Sequence, residues 1–167
     1  MIYTIKSYPT MYQNIRFRSR LEARWAVFLD IIEWYWEYEP YDLYGWVPDF
    51  YVKFDCSHSE CNGYHDLLAE VKPYRTIEEF EGHPCTQGYF GLWDRPFGPA
   101  SKEDAELQKV PVDSTACFGI NPDVSYWEMT HGAGGGGYDF NAFGSIRGKV
   151  WPAWNEAGNI IQKSRVS

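Results

Sequence analysis

Val47-Pro48-Asp49-Phe50-Tyr51-Val52-Lys53-Phe54 and, one hairpin later, His65-Asp66-Leu67-Leu68-Ala69-Glu70-Val71-Lys72 read as two antiparallel strands. Aromatic and β-branched residues fill the first, and Leu67, Leu68, Ala69 and Val71 give the second a buried character. The polar stretch Ser57 to Gly63 supplies the turn, and Pro73, which has no N–H to give a ladder, ends the second strand. Register decides the chemistry: with Asp49 and Glu70 opposite each other, two carboxylates share a face, and strand alternation adds the Lys72 ammonium to it. Hard oxygen ligands so placed suit Mg²⁺ or Mn²⁺, whose shell is completed by water and phosphate oxygens. A lysine beside such an ion can orient attacking water and offset charge as a phosphoryl centre is attacked.

Upstream, Leu21, Trp25, Phe28 and Ile32 recur at spacings of four and three, with Leu29 widening the stripe, and Ser19 followed by Glu22 is a capping-box pattern. A helix over about residues 19–33 is expected. Trp34 to Pro40 alternates large aromatics with Glu37 and Glu39, as a half-exposed strand would, and Asp42 to Trp46 reads as a turn. Downstream, Thr76 to Gly82 carries acids in its first turn and reads as a short helix. Ser101 to Gln108 reads as a helical turn or two, while Val110 to Ile120 and Val124 to Met129 read as strands that extend the sheet. Gly132 to Gly137 lacks the strand, Lys and Ser/Thr context of a phosphate-binding loop and reads as a flexible connection.

The words Pro48-Asp49 and Glu70-Val71-Lys72 resemble the signature of the PD-(D/E)XK nuclease superfamily. The run Phe17-Arg18-Ser19-Arg20-Leu21-Glu22-Ala23-Arg24-Trp25-Ala26, followed by Trp36-Glu37-Tyr38-Glu39-Pro40, is similar to small nuclease-like proteins common in bacteriophages and their hosts. The likeness covers about residues 14–82. It implies an α/β, restriction-endonuclease-like core of a helix, a three-stranded antiparallel meander, a helix and a further strand. On that pattern residues 1–167 form one domain, with its core over about 14–129 and an irregular Gly/aromatic-rich extension over 130–167. It also implies Asp49 and Glu70 as metal ligands, Lys72 as the catalytic lysine, Glu22 as the helix acid completing the site, and Mg²⁺-dependent hydrolysis of nucleic-acid phosphodiesters, DNA above all. The capping box explains Glu22 independently, through a bond back to the Ser19 backbone N–H.

Charge complicates that expectation. The chain carries −8 overall, yet residues 1–24 carry +4, which leaves −12 for the remainder. Arg16, Arg18, Arg20 and Arg24 are therefore the candidate nucleic-acid-binding residues, since cations are unfavourable at a helix N-terminus unless they face an anion. The acidic remainder equally fits a basic protein partner, as in a catalytically silent nuclease-fold protein that binds and inhibits a host nucleic-acid enzyme. A third expectation is a structural zinc module held by Cys56, Cys61, His65 and Cys85, with His58 or His83 as substitutes, although the spacing departs from the usual paired-cysteine pattern.

At 167 residues the chain is one domain by length, and 44% hydrophobic and 19% aromatic content exclude disorder. No run approaches the roughly 20 apolar residues of a membrane span. No signal-like segment opens the sequence, so a cytoplasmic location is expected, that of the bacterial host if the gene is a phage's, with cysteines reduced rather than paired. Trp93, Trp127, Trp151 and Trp154 are either core residues or base-stacking platforms. A homodimer is compatible with the resemblance, but no heptad or interface pattern specifies one.

Overall fold

The computed structural model describes residues 8–43, 46–57, 63–86, 114–127, 129–130, 138–139, 143 and 146–163. The described residues begin with a hairpin, β1 (Thr10–Tyr12) and β2 (Ile15–Phe17), whose two-residue turn places both Gln13 and Asn14 at positive φ, 49° and 64°. Positive φ at both central residues gives the turn a twist that matches its flanking strands. Helix α1 (Arg20–Ile31) follows directly. Its N-cap is Ser19, whose Oγ accepts from the Glu22 N–H at 3.1 Å, so the cap expected from sequence is made.

The principal sheet has five strands in the order β3 (Tyr35–Tyr38), β4 (Phe50–Asp55), β5 (Tyr64–Val71), β6 (Ser114–Phe118) and β7 (Ser125–Trp127). Strands β3, β4 and β5 form the expected antiparallel meander, β6 joins β5 in parallel, and β7 returns antiparallel. Two short strands, β8 (Met129–Thr130) and β9 (Tyr138–Asp139), pair separately. Between β5 and β6 the expected helix over 76–82 is a single 3₁₀ turn, Ile77–Phe80, fastened by a reciprocal capping box between Thr76 and Glu79. The stretches 101–108 and 132–137 lie outside the described residues.

The C-terminal extension, expected to be irregular, is regular over its last described part. It contains a 17-residue helix, α2 (Arg147–Lys163), that lies against α1. Val150, Ala153, Trp154, Ala157 and Ile161 form its buried stripe, and burial of that stripe outweighs the local cost of Pro152 and two glycines. Strand alternation then divides the core. Phe50, Val52, Leu67, Ala69 and Val71 face the helices, together with Trp25, Phe28 and Trp154, while Leu68 and Cys117 face away, against Leu43, Trp46 and Phe80. Trp25 sits at the centre of the first layer, stacked on Phe118 with centroids 4.3 Å apart, its Nε1–H donating to the Gly119 carbonyl at 2.9 Å. Gly119 is obligatory for a packing reason, since a Cβ there would lie 2.4 Å from a Val124 methyl. No helix among the described residues is long and apolar enough to cross a membrane.

Candidate functional site

Register delivers the two carboxylates. Phe50 pairs with Ala69, so Asp49, one residue before β4, falls opposite Glu70 near the end of β5, where the two carboxyls face each other closely enough to shift each other's proton affinity. Asp49 also accepts from the Val71 N–H at 2.8 Å and from an Arg18 Nη at 2.7 Å. Lys72 extends from the same strand end, with Nζ 3.9 Å from Glu70 Oε2, and its backbone N–H is bonded to the Phe118 carbonyl. A cleft of about 460 Å³ opens over Glu22, Asp49, Glu70 and Lys72, walled by Arg18, Trp46 and His83. The four residues that the sequence nominated for catalysis are therefore brought together.

Glu22 arrives from α1. It is buried, yet its carboxylate is held by side chains around the cleft: it accepts from the Ser19 hydroxyl at 3.2 Å and from the Tyr38 hydroxyl. Tyr38 in turn accepts from the Arg18 N–H, which fixes the phenol between strand β3 and the start of α1. Burial pushes the Glu22 carboxyl above its usual range, opposed by the bonds from Tyr38, Arg18 and Ser19.

Three groups escaped the sequence reading of this site. Glu39 takes a left-handed backbone, φ 49°, uncommon for a side chain of this kind, while its N–H donates to the Asp49 carbonyl. Its carboxylate is 2.8 Å from Arg18, and one oxygen each from Glu22, Glu39 and Asp49 lies within 4.8 Å of the others. His83, considered from sequence only as a substitute zinc ligand, places Nε2 2.8 Å from Glu70 Oε2. Its Nδ1 accepts from the Cys85 N–H at 3.1 Å, which leaves Nε2 as the donor to Glu70. Tyr38 is the third. Only the alternation of aromatics and acids in Trp36-Glu37-Tyr38-Glu39 hinted at any of them.

The facing acids separate in proton affinity. Burial first, then the hydrogen bond and charge of Glu70, pushes Asp49 up to about 9, outweighing the Val71 N–H and the Arg18 guanidinium that favour its anion. Burial would also raise Glu70, but the bond from His83, followed by that from Asp49, carries it below the usual carboxylate range. The two acids are thus pushed in opposite directions, Asp49 toward holding its proton and Glu70 toward its anion.

The remaining nominated residues go elsewhere. Arg24 packs its guanidinium 4.2 Å from the Trp154 ring centroid and donates twice to the Trp154 carbonyl, at 2.9 and 3.2 Å, so it clamps α1 to α2 and does not reach the cleft. Arg20 lies over the Tyr8 ring and Arg16 is exposed on β2. Among the described residues, the nominated zinc ligands do not come together. His65 is on the helix-facing side of β5 beside Phe54, whereas Cys85 is on the opposite side, its Sγ 3.5 Å from Cys117 Sγ. Cys56 lies just beyond β4, where its N–H donates to the Gly63 carbonyl, and Cys61 and His58 lie outside the described residues. Trp127 and Trp154 are core residues, while Trp151 is exposed.

Fold and cleft together define a mixed α/β protein whose acidic site sits where β4 begins and β5 ends. No protein-family model, no curated protein and no solved structure matches the chain. Three of the acids could take a hard divalent cation: one oxygen each from Glu22, on a helix, and from Glu39 and Asp49, on two loop positions, converge with no thiolate or imidazole among them.

Proposed function

We propose that this chain is a divalent-metal-dependent nuclease that hydrolyses phosphodiester bonds, with DNA as its first substrate class, on a restriction-endonuclease-like core. The observation that carries the proposal is the convergence of Glu22, Asp49, Glu70 and Lys72 on one cleft from three separate segments. The resemblance of those same residues to the PD-(D/E)XK signature supports it. Bound Mg²⁺ or Mn²⁺ would supply Lewis-acid polarisation of a phosphoryl oxygen and a water of lowered pKa. Asp49 would be the central ligand of the ion, with Glu70 on one side of it and Glu22 and Glu39 on the other, where Arg18 now stands. Lys72, with its ammonium at the mouth of the cleft, orients water and offsets the charge that builds on the phosphoryl oxygens. His83 keeps Glu70 ionised and correctly turned.

The test is a cleavage panel of single-stranded, double-stranded and branched DNA and of RNA, with Mg²⁺ or Mn²⁺ and with chelator. Metal-dependent cutting that Glu70→Gln and Asp49→Asn abolish is the expected result; no cutting of any substrate by folded protein removes the enzymatic claim. A second reading, a silent acidic scaffold that binds a basic protein, draws support from one observation. Arg18 neutralises the acids at the site without a metal. In that case no divalent ion binds in the cleft.

A further inference from the structure

Arg18 is arranged unlike a structural arginine. Buried guanidinium–carboxylate pairs are typically bidentate, two N–H groups on two oxygens of one acid. Here a single Nη nitrogen serves two acids, 2.7 Å from Asp49 and 2.8 Å from Glu39, and Nε lies 3.9 Å from Glu22. That nitrogen thus touches two of the three carboxylates whose oxygens converge within 4.8 Å, and the same guanidinium approaches the third, Glu22, through Nε. Ligand oxygens around Mg²⁺ are about 3–4 Å apart, given a metal–oxygen distance of about 2.1 Å, so an ion could take the nitrogen's place with a small contraction.

The Arg18 side chain is 61% exposed, so it reaches the acids from the open side of the cleft and has solvent beside it. Its backbone position is adverse. Arg18 immediately precedes the N-cap Ser19, so its charge stands at the positive end of α1, where a cation is tolerated only while acids surround it. Neutralising those acids with a divalent ion removes the reason for the inward conformation. The guanidinium would then be released at the mouth of a cleft whose substrate is an anion.

We propose that Arg18 is a resident cation that a divalent metal displaces, and that the displaced guanidinium binds the substrate phosphate. The inference rests on the metal-dependent reading above and adds to it an order of events. Ion and guanidinium exclude each other from the carboxylate cluster, and Arg18 contributes to nucleic-acid affinity only after the ion has entered. Such exchange suppresses occupancy by scarce metal and couples metal loading to phosphate capture.

The first measurement is Mn²⁺ titration of nucleic-acid-free protein, with free ion read by electron paramagnetic resonance, for wild type, Arg18→Ala and Arg18→Lys, each checked by thermal melting. Arg18→Ala should bind Mn²⁺ about tenfold tighter than wild type, a coupling of about 1.4 kcal/mol. Arg18→Lys, which keeps the charge on a more flexible stem, should lie between them and preserves the comparison if the alanine variant melts early. Equal or weaker binding by both variants overturns the exchange while leaving the metal-dependent reading in place. Absence of Mn²⁺ binding by all three proteins removes both.

The second measurement is anisotropy of a labelled oligonucleotide with Ca²⁺, compared with chelator. Arg18→Ala should lose about tenfold in affinity with Ca²⁺ and less than twofold without it. Equal losses in the two conditions overturn the phosphate-binding role.

Discussion

Nε2 of His83 lies 2.8 Å from Oε2 of Glu70, and the N–H of Cys85 fixes the other ring nitrogen as an acceptor. This imidazole is a positioning group: it aims a buried carboxylate and stabilises its anion. On the proposed function, in which Glu70 is a metal ligand, His83→Ala should lower kcat for cleavage by about 10- to 100-fold, the usual effect of losing a partner behind such a ligand. An essential anion loses activity as pH falls through its pKa. Because His83 lowers the Glu70 pKa, its removal should move the acid limb of the pH–rate profile to higher pH. His83→Gln, which retains an N–H donor, should recover part of both effects. A loss of rate with an unshifted acid limb would assign His83 a purely structural role.

Asp49 gives a stability prediction. Its carboxyl is pushed up to about 9 in the folded chain, against about 3.9 for an unfolded aspartate. Between those values the folded protein holds more protons than the unfolded one, so this residue makes wild type less stable as pH rises across the window. Asp49→Asn removes the titration. In chelator, the Tm of Asp49→Asn minus that of wild type should grow from pH 5 to pH 9, by about 2–4 °C for each ~1 kcal/mol of linkage in a chain of this length. A constant difference would mean that Arg18 keeps Asp49 ionised throughout.

Much of this arrangement was legible, and the exceptions have physical reasons. The stripe of Trp25, Phe28 and Leu29 with the Ser19 cap specified α1 because local propensity, periodicity and capping agreed. The alternating strands placed Asp49 opposite Glu70 because register in a hairpin is set by which face is buried. Helix α2 was obscured by Gly148, Pro152 and Gly158, which read as breakers although Val150, Ala153, Trp154, Ala157 and Ile161 keep helical spacing. Tertiary burial overrode local cost. The turn at Gln13 and Asn14 escaped for the related reason that glutamine rarely marks a left-handed position. Glu39 and His83 were invisible as site residues because long-range packing alone brings them to Arg18 and Glu70.

Arg24 and Gly158 form a pair whose coupling can be measured. A Cβ at Gly158 would fall 2.8 Å from the Arg24 Cζ, displacing the guanidinium from the Trp154 carbonyl. Arg24→Ala should destabilise the protein by about 1–3 kcal/mol in urea denaturation through lost packing and hydrogen bonds. Gly158→Ala carries a helix-propensity gain of about 1 kcal/mol that is offset in wild type by the clash. In the Arg24→Ala background the clash is gone, so the same substitution should become stabilising. Additive effects in the double-mutant cycle would show that the two residues do not interact. Oligonucleotide affinity should be unchanged in Arg24→Ala, since the clamp lies away from the cleft.

In the proposed reaction, Lys72 and Glu70 separate catalysis from metal binding. The Lys72 backbone is held in the sheet by its bond to Phe118, but its side chain is 41% exposed and sits 3.9 Å from Glu70. Replacing it disturbs no core contact, so Lys72→Met should change stability by less than about 0.5 kcal/mol. It removes a cation from beside the carboxylates, so Mn²⁺ affinity should be equal or tighter. Single-turnover cleavage should nevertheless fall by about 10²-fold or more, because the lost ammonium acts on water and on charge that develops during reaction. Glu70→Gln should do the reverse to the metal, weakening Mn²⁺ markedly, because an amide cannot supply the anionic ligand. If Lys72→Met weakens Mn²⁺ as strongly as Glu70→Gln does, Lys72 is a support of the carboxylate geometry, and the chemical role given to it is wrong.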